Sequence, residues 1–193
     1  MYLNVHSYNS LRYGTMSPEK LVQQALKNNV KVMALTDINN TMGTIDFVKL
    51  CITNGIQPLA GIEFRNGDSY LYTGIARNNE GFRELNEFLS WHNENKKELP
   101  SNPPEFDQVW IIYSWENKPQ KLREHELIGI RPGDLNKLLT SSYRYDQDRL
   151  VIWHPVSFQG KEDFMIHQHL RAIDHNTLLS KLTPVNTGTE KDI

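Results

Sequence analysis

The chain has 193 residues and carries 21 Lys and Arg against 23 Asp and Glu, for a net charge of -2. This balance excludes a broad basic surface that tracks nucleic-acid phosphates, so any DNA contact is expected to be indirect or weak. No stretch reaches the ~20 apolar residues that cross a bilayer, and residues 1–4 do not open a secretory signal, so no membrane partner is expected. The single cysteine, Cys51, excludes an internal disulfide and a Cys-rich zinc site and favours a reducing, cytoplasmic location.

Apolar runs and turn residues predict about seven strands that alternate imperfectly with helices. The predicted strands cover residues 2–6, 32–35, 56–62, 70–76, 109–113, 127–130 and 150–153. The first three strands and the helices between them follow a β-α-β-α-β order, which implies right-handed crossovers and a parallel sheet or barrel. Asn66-Gly67 then predicts a tight turn that leads the chain back into the fourth strand.

Helices are predicted from capping residues and from apolar side chains at helical spacing. The first begins at Ser17-Pro18, because Ser caps free N–H groups and Pro suits the first helical position. A longer helix is expected at about 79–91 and a short one after Pro132. Residues 183–193 are predicted to be frayed or disordered. The apolar positions of the second helix are Ile45, Val48 and Ile52, and those of the last helix are Phe164, Ile166, Leu170 and Ile173.

Three early strands each end in a side chain that can bind a metal, namely His6, Asp37 and Glu63. The carboxyl ends of parallel barrel strands form one mouth, where sites are built. These three side chains together would make a mixed nitrogen and oxygen site for Zn, Mn or Fe. The alternative is that they are ordinary strand-end residues, with Asp37 capping a turn or helix and His6 bonded to the backbone. Arg12 and Arg65 flank the expected mouth and are candidates for phosphate contact.

The remaining histidines give weaker signals. His167 and His169 are two residues apart, so their side chains point away from each other on a helix, and both are predicted on a half-exposed face. His92, His125 and His175 lie in polar surroundings and are predicted at the surface.

Four stretches resemble the motifs of the PHP (polymerase and histidinol phosphatase) family. Residues 4–14, NVHSYNSLRYG, resemble the opening motif L-H-x-H-S-x-x-S-x-x-D-G, and residues 36–43, TDINNTMG, resemble T-D-H-x-x-x-x-G. Gly61-Ile62-Glu63 is similar to the third motif, G-x-E. Residues 74–82, GIARNNEGF, resemble L-L-A-K-N-x-E-G-Y, which is typical of PHP domains at the N-terminus of bacterial polymerase III alpha subunits. The similarity spans most of residues 1–175, in order.

The resemblance also implies metal ligands that this sequence lacks. Phosphoesterases of the family bind two or three metal ions through a rich set of His, Asp, Glu and sometimes Cys side chains. Here Asn4, Ile38 and Leu71 stand at positions of family histidines, and residues 154–157 carry no ligand at either usual position. The remaining candidates are His6, Asp37 and Glu63, with His154 as a shifted extra. Three ligands hold at most one ion, so we expect either no cofactor or one weakly held Zn, Mn or Mg ion.

The resemblance implies an α/β fold, a distorted (β/α)7 barrel of the PHP type over residues 1–182, with 183–193 as a tail or the start of a linker to a polymerase core. It implies the N-terminal PHP domain of a replicative polymerase III alpha subunit, with a degenerate metal site that acts mainly as a structural and interaction platform. The implied partners are the rest of the alpha subunit and the proofreading exonuclease subunit. The alternative is a metal-dependent phosphoesterase or 3'-5' exonuclease that uses His6, Asp37 and Glu63.

Overall fold

The structure is a computed structural model that describes residues 1–183 and Thr187. The strands are β1 (Asn4–Val5), β2 (Val32–Leu35), β3 (Gln57–Asn66), β4 (Ser69–Ala76), β5 (Val109–Ser114), β6 (Glu126–Ile130), β7 (Leu150–Ile152) and β8 (Pro155–Val156). The α-helices are α1 (Pro18–Lys27), α2 (Thr44–Thr53), α3 (Asn79–Glu94), α4 (Leu135–Leu139) and α5 (Gly160–Asp174). Short 3-10 turns cover Pro132–Asp134, Ser142–Tyr145, Gln147–Arg149 and Leu179–Lys181.

The strands form a distorted barrel. Six of them make a sheet in the order β2-β3-β4-β5-β6-β7, and β1 pairs in parallel with β8. Backbone bonds link β1 to β2, since Tyr2 N donates to Val32 O at 3.2 Å and Thr36 N donates to Val5 O at 2.9 Å. Only Trp153 and His154 separate β7 from β8, so the last strand segment pairs first with β6 and then with β1. This arrangement confirms the predicted α/β barrel of the PHP type.

One hairpin breaks the parallel pattern of the barrel. Strand β4 runs antiparallel to both of its neighbours, β3 and β5. The turn before it contains Gly67, whose φ of +56° is the left-handed conformation that glycine adopts without strain. The Asn66-Gly67 signal therefore predicts this turn correctly, and the reversal is the main distortion of the (β/α)7 plan.

Local signals also place the first two helices. The Ser17 side chain accepts a hydrogen bond from Lys20 N at 3.2 Å, and Pro18 occupies the first turn of α1, as predicted. Helix α2 is followed by Gly55, whose φ is +69°. The side chains of Leu35, Phe47 and Cys51 are fully buried in the cluster that packs these helices against β2. Cys51 is thus a core residue, as its apolar segment indicates.

Side chains from many strands fill the barrel. One cluster combines buried Leu3, Ala34, Ile75 and Ile112 with partly buried Leu59, Leu127 and Val151, which lie on or beside seven different strands. Inward-facing side chains from successive strands are what closes a small barrel. A second large cluster packs α3 against β3, β4 and β5. The packed interior keeps the mouth of the barrel, where the candidate residues lie, in a fixed geometry.

The apolar positions that predict two of the helices are only partly buried. In α2, Ile45 and Ile52 are 57% and 65% exposed, and the buried side chains belong to Thr44, Phe47 and Cys51. In α5, Ile166 and Ile173 are 52% and 65% exposed. The buried residues of α5 are Phe164, His167, Arg171 and Ala172. Helix α5 turns polar groups inward because they bond to loops that are distant in sequence, as described below.

The structure also corrects the placement of two histidines and one strand. His167, predicted on a half-exposed face, is fully buried, and His92, predicted at the surface, is buried with its Nδ1 2.8 Å from Phe88 O. Strand β7 is only half-buried and leaves Ile152 81% exposed, so it is not the buried strand that its apolar run predicts. The expectation of disorder at 183–193 lies outside the described residues except at Thr183 and Thr187. No helix that the structure describes is both long and apolar enough to cross a membrane.

Candidate functional site

The three predicted metal ligands lie on or after neighbouring strands, and Glu63 is inside its strand rather than at the end because β3 continues to Asn66. His6 follows β1, Asp37 follows β2, and Glu63 lies in β3, where its N–H donates to Asp37 O at 3.2 Å. All three side chains are buried, with at most 1% of their surface exposed. The mouth of the barrel opens into a cleft of about 910 Å³, and of the three predicted ligands it is Glu63 that lines this cleft.

The Glu63 carboxylate receives hydrogen bonds on both of its oxygens. Oε2 accepts from Asn4 Nδ2 at 3.0 Å and lies 3.2 Å from His6 Nε2. Oε1 accepts from the Nε of Arg65, a close ion pair within the same strand. Burial alone would raise the pKa of Glu63, but the charges of Arg65 and His6 and their hydrogen bonds lower it to about 2. Glu63 is therefore an anion, and both of its carboxylate oxygens have partners within the protein.

His6 is also engaged through both ring nitrogens. Its Nε2 faces Glu63, and its Nδ1 lies 2.8 Å from Ser157 Oγ. A carboxylate only accepts, so Nε2 carries the proton that is donated to Glu63. In the neutral ring Nδ1 then accepts from the Ser157 hydroxyl. Ser157 stands in the region where the family carries metal ligands, and here it serves as a partner of His6.

Asp37 binds the loop that follows β1 (residues 7–14, the first loop). Its Oδ1 accepts from Ser7 N at 2.6 Å and from Ser10 Oγ at 2.7 Å, and its Oδ2 accepts from Ser7 Oγ at 2.7 Å. Ser10 Oγ in turn accepts from Ile38 N at 3.0 Å. These contacts match the structural alternative considered for Asp37, in which the carboxylate holds a turn. Both of its oxygens are used within the chain.

Two guanidinium groups enclose Tyr13, which stands where the opening motif of the family has Asp. Arg65 Cζ lies 4.6 Å from the centre of the Tyr13 ring, and Arg171 Cζ lies 5.3 Å from it. An Arg65 terminal nitrogen also donates to Tyr13 Oη at 3.3 Å. The ring edge meets His6 at 5.4 Å and His167 at 4.8 Å between centroids. Tyr13 thus joins the first loop to β3 and α5 through cation–π and edge contacts.

The two candidates for phosphate contact occupy different places. Arg65 lines the cleft and is mostly buried, with 14% of its side chain exposed. Burial would lower the pKa of Arg65, but the Glu63 carboxylate outweighs this effect and raises the pKa. Arg12 is 60% exposed, is not among the residues that line the cleft, and pairs with Asp174 at 3.2 Å. Of the two, the structure brings Arg65 to the mouth.

Within the described part of the chain, a different group of ligand-type side chains comes together. Ligand atoms of Asp68, Asp174 and His175 all lie within 4.8 Å of one another. Arg171, which is 4% exposed, contacts all three, at 2.7 Å to Asp174, 2.8 Å to His175 Nε2, and in a close pair with Asp68. The positive charge of the Arg171 guanidinium therefore already offsets negative charge of the Asp68 and Asp174 carboxylates. The sequence gives no signal for it, because Arg171 and Asp68 are separated by 103 positions.

Fold and mouth together define a class of protein. A barrel of seven strand positions, with His after the first strand, Asp after the second and Glu on the third, is the plan expected of a PHP domain. A family model described as "PHP domain" matches residues 3–166, and the chain belongs to this family.

The curated relatives that the chain matches are much longer. The DNA polymerase III subunit alpha of Ureaplasma parvum is 35% identical over 111 residues, which is 57% of this chain and 11% of that protein. The protein of the same name in Staphylococcus aureus is 25% identical over 197 aligned residues, covering 100% of this chain and 17% of that protein. The chain therefore spans about a sixth or less of these relatives.

A solved structure supports the fold. A protein from Bifidobacterium adolescentis that is named as a metal-dependent phosphoesterase superimposes with a TM-score of 0.50 at 13% identity, over 84% of this chain and 89% of that one. At this level of identity the likeness concerns the fold alone.

Proposed function

We propose that the chain is the PHP domain of a DNA polymerase III alpha subunit and that its mouth is a structural platform rather than a hydrolytic metal centre. An alignment with an alpha subunit covers the whole of this chain, and this match supports the first part. The observation that carries the second part is the ion pair between Arg65 and Glu63 inside the mouth. A fixed guanidinium neutralises the buried carboxylate there.

The donor atoms present do not fit a metal ion as they are arranged. Both oxygens of Glu63, both oxygens of Asp37 and both nitrogens of His6 have hydrogen-bond partners in the protein. Among the described residues, these three side chains do not form a group whose ligand atoms all lie within 4.8 Å. Coordination would require several of these bonds to break at once, and no hydrolytic step is derived for this mouth.

Electrostatics oppose metal binding as well. A divalent ion at Glu63 would lie beside the guanidinium of Arg65, and like charges repel strongly in a buried site. Arg65 is held by Glu63 on one side and by Tyr13 on the other, so it is not free to leave. At most one weakly held divalent ion is compatible with this arrangement.

As a platform, the domain holds a rigid barrel beside the catalytic region of the alpha subunit. The proposed partners are the rest of that subunit and its proofreading exonuclease. The polymerase reaction belongs to the whole subunit, and the relatives suggest that this chain is a small part of it. With a net charge of -2, the domain contacts DNA indirectly or weakly.

The proposal predicts that the purified chain holds far less than one metal ion and does not hydrolyse phosphate esters. The measurements are elemental analysis and release of a chromogenic phenol from its phosphate ester with added Mn or Zn. Asp37→Ala should leave both results unchanged, and so should the control Asp46→Ala on the exposed face of α2. Stoichiometric metal, together with turnover that Asp37→Ala abolishes and Asp46→Ala does not, would contradict the proposal.

Those contrary results define the second candidate function, a metal-dependent phosphoesterase or 3'-5' exonuclease with a reduced ligand set. It is favoured by His6, Asp37 and Glu63, which lie after β1, after β2 and within β3, three neighbouring strands of the barrel. This function requires Arg65 to swing out of the mouth when metal binds. The metal analysis above therefore separates the two candidates.

A further inference from the structure

The imidazole of His167, on α5, lies between two backbone carbonyl oxygens. Its Nδ1 is 2.6 Å from Tyr13 O, in the first loop, and its Nε2 is 3.0 Å from Thr187 O. Carbonyl oxygens only accept hydrogen bonds, whereas a neutral imidazole carries a single N–H. The neutral ring therefore donates to one of the two carbonyls, and only the protonated ring donates to both.

The surroundings of His167 make this difference important. The side chain is fully buried, and Thr187 is 5% exposed. The rings of Phe158 and Phe164 lie 5.3 Å and 6.4 Å from the imidazole between centroids, and the Tyr13 ring lies at 4.8 Å. A buried carbonyl that faces a nitrogen without a proton loses its hydrogen bond, which is costly in an apolar enclosure. The protonation state of the ring therefore decides whether both contacts are favourable.

The geometry favours the Tyr13 contact in the neutral ring. This contact is the shorter of the two, and the Tyr13 N–H donates to Ser10 O at 3.0 Å. The Tyr13 ring also lies beside the guanidinium groups of Arg65 and Arg171. The first loop is therefore fixed around Tyr13, and the single proton of the neutral imidazole belongs on Nδ1. The Nε2 atom then faces Thr187 O without a proton.

We propose that His167 is a pH-sensitive contact, whose protonated ring binds Thr187 at the wall of the cleft and whose neutral ring does not. Thr187 and Tyr13 both line the cleft of the mouth, so the change acts on the wall of that cleft. The inference concerns atoms of this chain alone. It goes beyond the proposed function and does not depend on it.

Electrostatics place the change on the acidic side of neutrality. Burial lowers the pKa of His167 below its ordinary 6.5, and the charges of Arg171, on the same helix, and of His6, after β1, lower it further. The hydrogen bonds to the Tyr13 and Thr187 carbonyls raise the pKa. Because the Thr187 carbonyl raises it, proton binding and the Thr187 contact strengthen each other. The contact should therefore be lost at neutral pH and form as the pH falls below 6.5.

An NMR titration of the isotope-labelled chain tests this inference. The two ring nitrogens of His167 report which of them carries a proton, and the carbonyl carbons of Tyr13 and Thr187 report their hydrogen bonds. As the pH falls from neutral, we expect Nε2 to gain a proton while Nδ1 keeps its own. The Thr187 carbonyl signal should shift with the same midpoint as the ring, and the Tyr13 carbonyl signal should shift far less.

Two variants make the test specific. His167→Gln keeps a side-chain donor but does not titrate, so the pH-dependent shift of the Thr187 signal should be lost. His169→Gln replaces an exposed histidine of the same helix and should leave that shift unchanged. Melting curves show whether each variant is folded. If His167→Gln unfolds, the ring nitrogens and the two carbonyl signals of the wild-type chain still decide the question.

Three results would overturn the inference. The first is a Thr187 carbonyl signal that shifts equally in the wild-type chain and in folded His167→Gln. The second is a His167 ring that stays neutral until the chain unfolds in acid. The third is a proton on Nε2 at neutral pH, because the neutral ring would then keep the Thr187 contact and the second proton would serve Tyr13.

Discussion

Replacement of Arg65 by Met is expected to lower the free energy of unfolding by about 3–5 kcal/mol, the usual cost of breaking a buried ion pair. The reason is the environment of Glu63, which is 1% exposed and would be left as a buried anion without its guanidinium partner. Asn4 and His6 would still donate to that carboxylate, but the guanidinium charge of Arg65 would be lost. The measurement is chemical denaturation of the wild-type and variant chains at pH 7.

Two comparisons make this result interpretable. Arg83 also pairs with glutamates, Glu80 and Glu87, but all three side chains are more than half exposed. Arg83→Met should therefore change stability far less than Arg65→Met, because solvent screens an exposed ion pair. Combining Arg65→Met with Glu63→Gln should restore part of the lost stability, because the buried charge is removed together with its partner. A loss at Arg65 no larger than the loss at Arg83 would show that the pair does not stabilise the mouth.

Leu35→Ala is expected to cost roughly 2–5 kcal/mol for a different reason, the cavity left in a packed core. Leu35 is fully buried in the cluster that joins β2 to α1 and α2. The 76% exposed Leu11 provides the control, and Leu11→Ala should change stability by less than about 0.5 kcal/mol. Urea denaturation measures both, and a Leu35→Ala cost near that of Leu11→Ala would contradict the packing described for β2.

Much of the fold can be predicted from the sequence, because its signals are local. The cap at Ser17-Pro18 and the turn at Asn66-Gly67 depend on neighbouring residues and are confirmed. The faces of α2 and α5 cannot be predicted in this way. The orientation of α5 depends on His167 and Arg171, whose partners lie 154 and 103 positions away. Apolar periodicity does not register such contacts.

The candidate site, like the fold, could be predicted from the sequence only in part. Strand ends predict that His6 and Glu63 lie close together, and their nitrogen and oxygen atoms are 3.2 Å apart. The position of Asp37 after a strand does not predict that both of its carboxylate oxygens accept hydrogen bonds from Ser7 and Ser10. The role of Arg65 was missed. The signal that could have revealed it is its position two residues after Glu63 on the same strand.

Under the proposed function, the mouth of this barrel keeps the architecture of its family, and its positive charge comes from Arg65. Tyr13 stands at a family Asp position and Asn4 at a family His position, which removes metal donors. Tyr13 also supports Arg65 and Arg171 through its ring. Under the proposed function, the Arg65 guanidinium, held by Glu63 and Tyr13, takes the structural role of a bound cation.

The most direct test of this account is the pKa of Glu63, measured from its side-chain carboxyl carbon by NMR. The account predicts a pKa of about 2, below the ordinary 4.5, so that stabilisation by Glu63 is complete above about pH 4.5 and is lost as the pH falls towards 2. It also predicts that one equivalent of zinc leaves the Glu63 and His6 signals in place. A pKa near 4.5, or a stoichiometric shift of both signals with zinc, would contradict it.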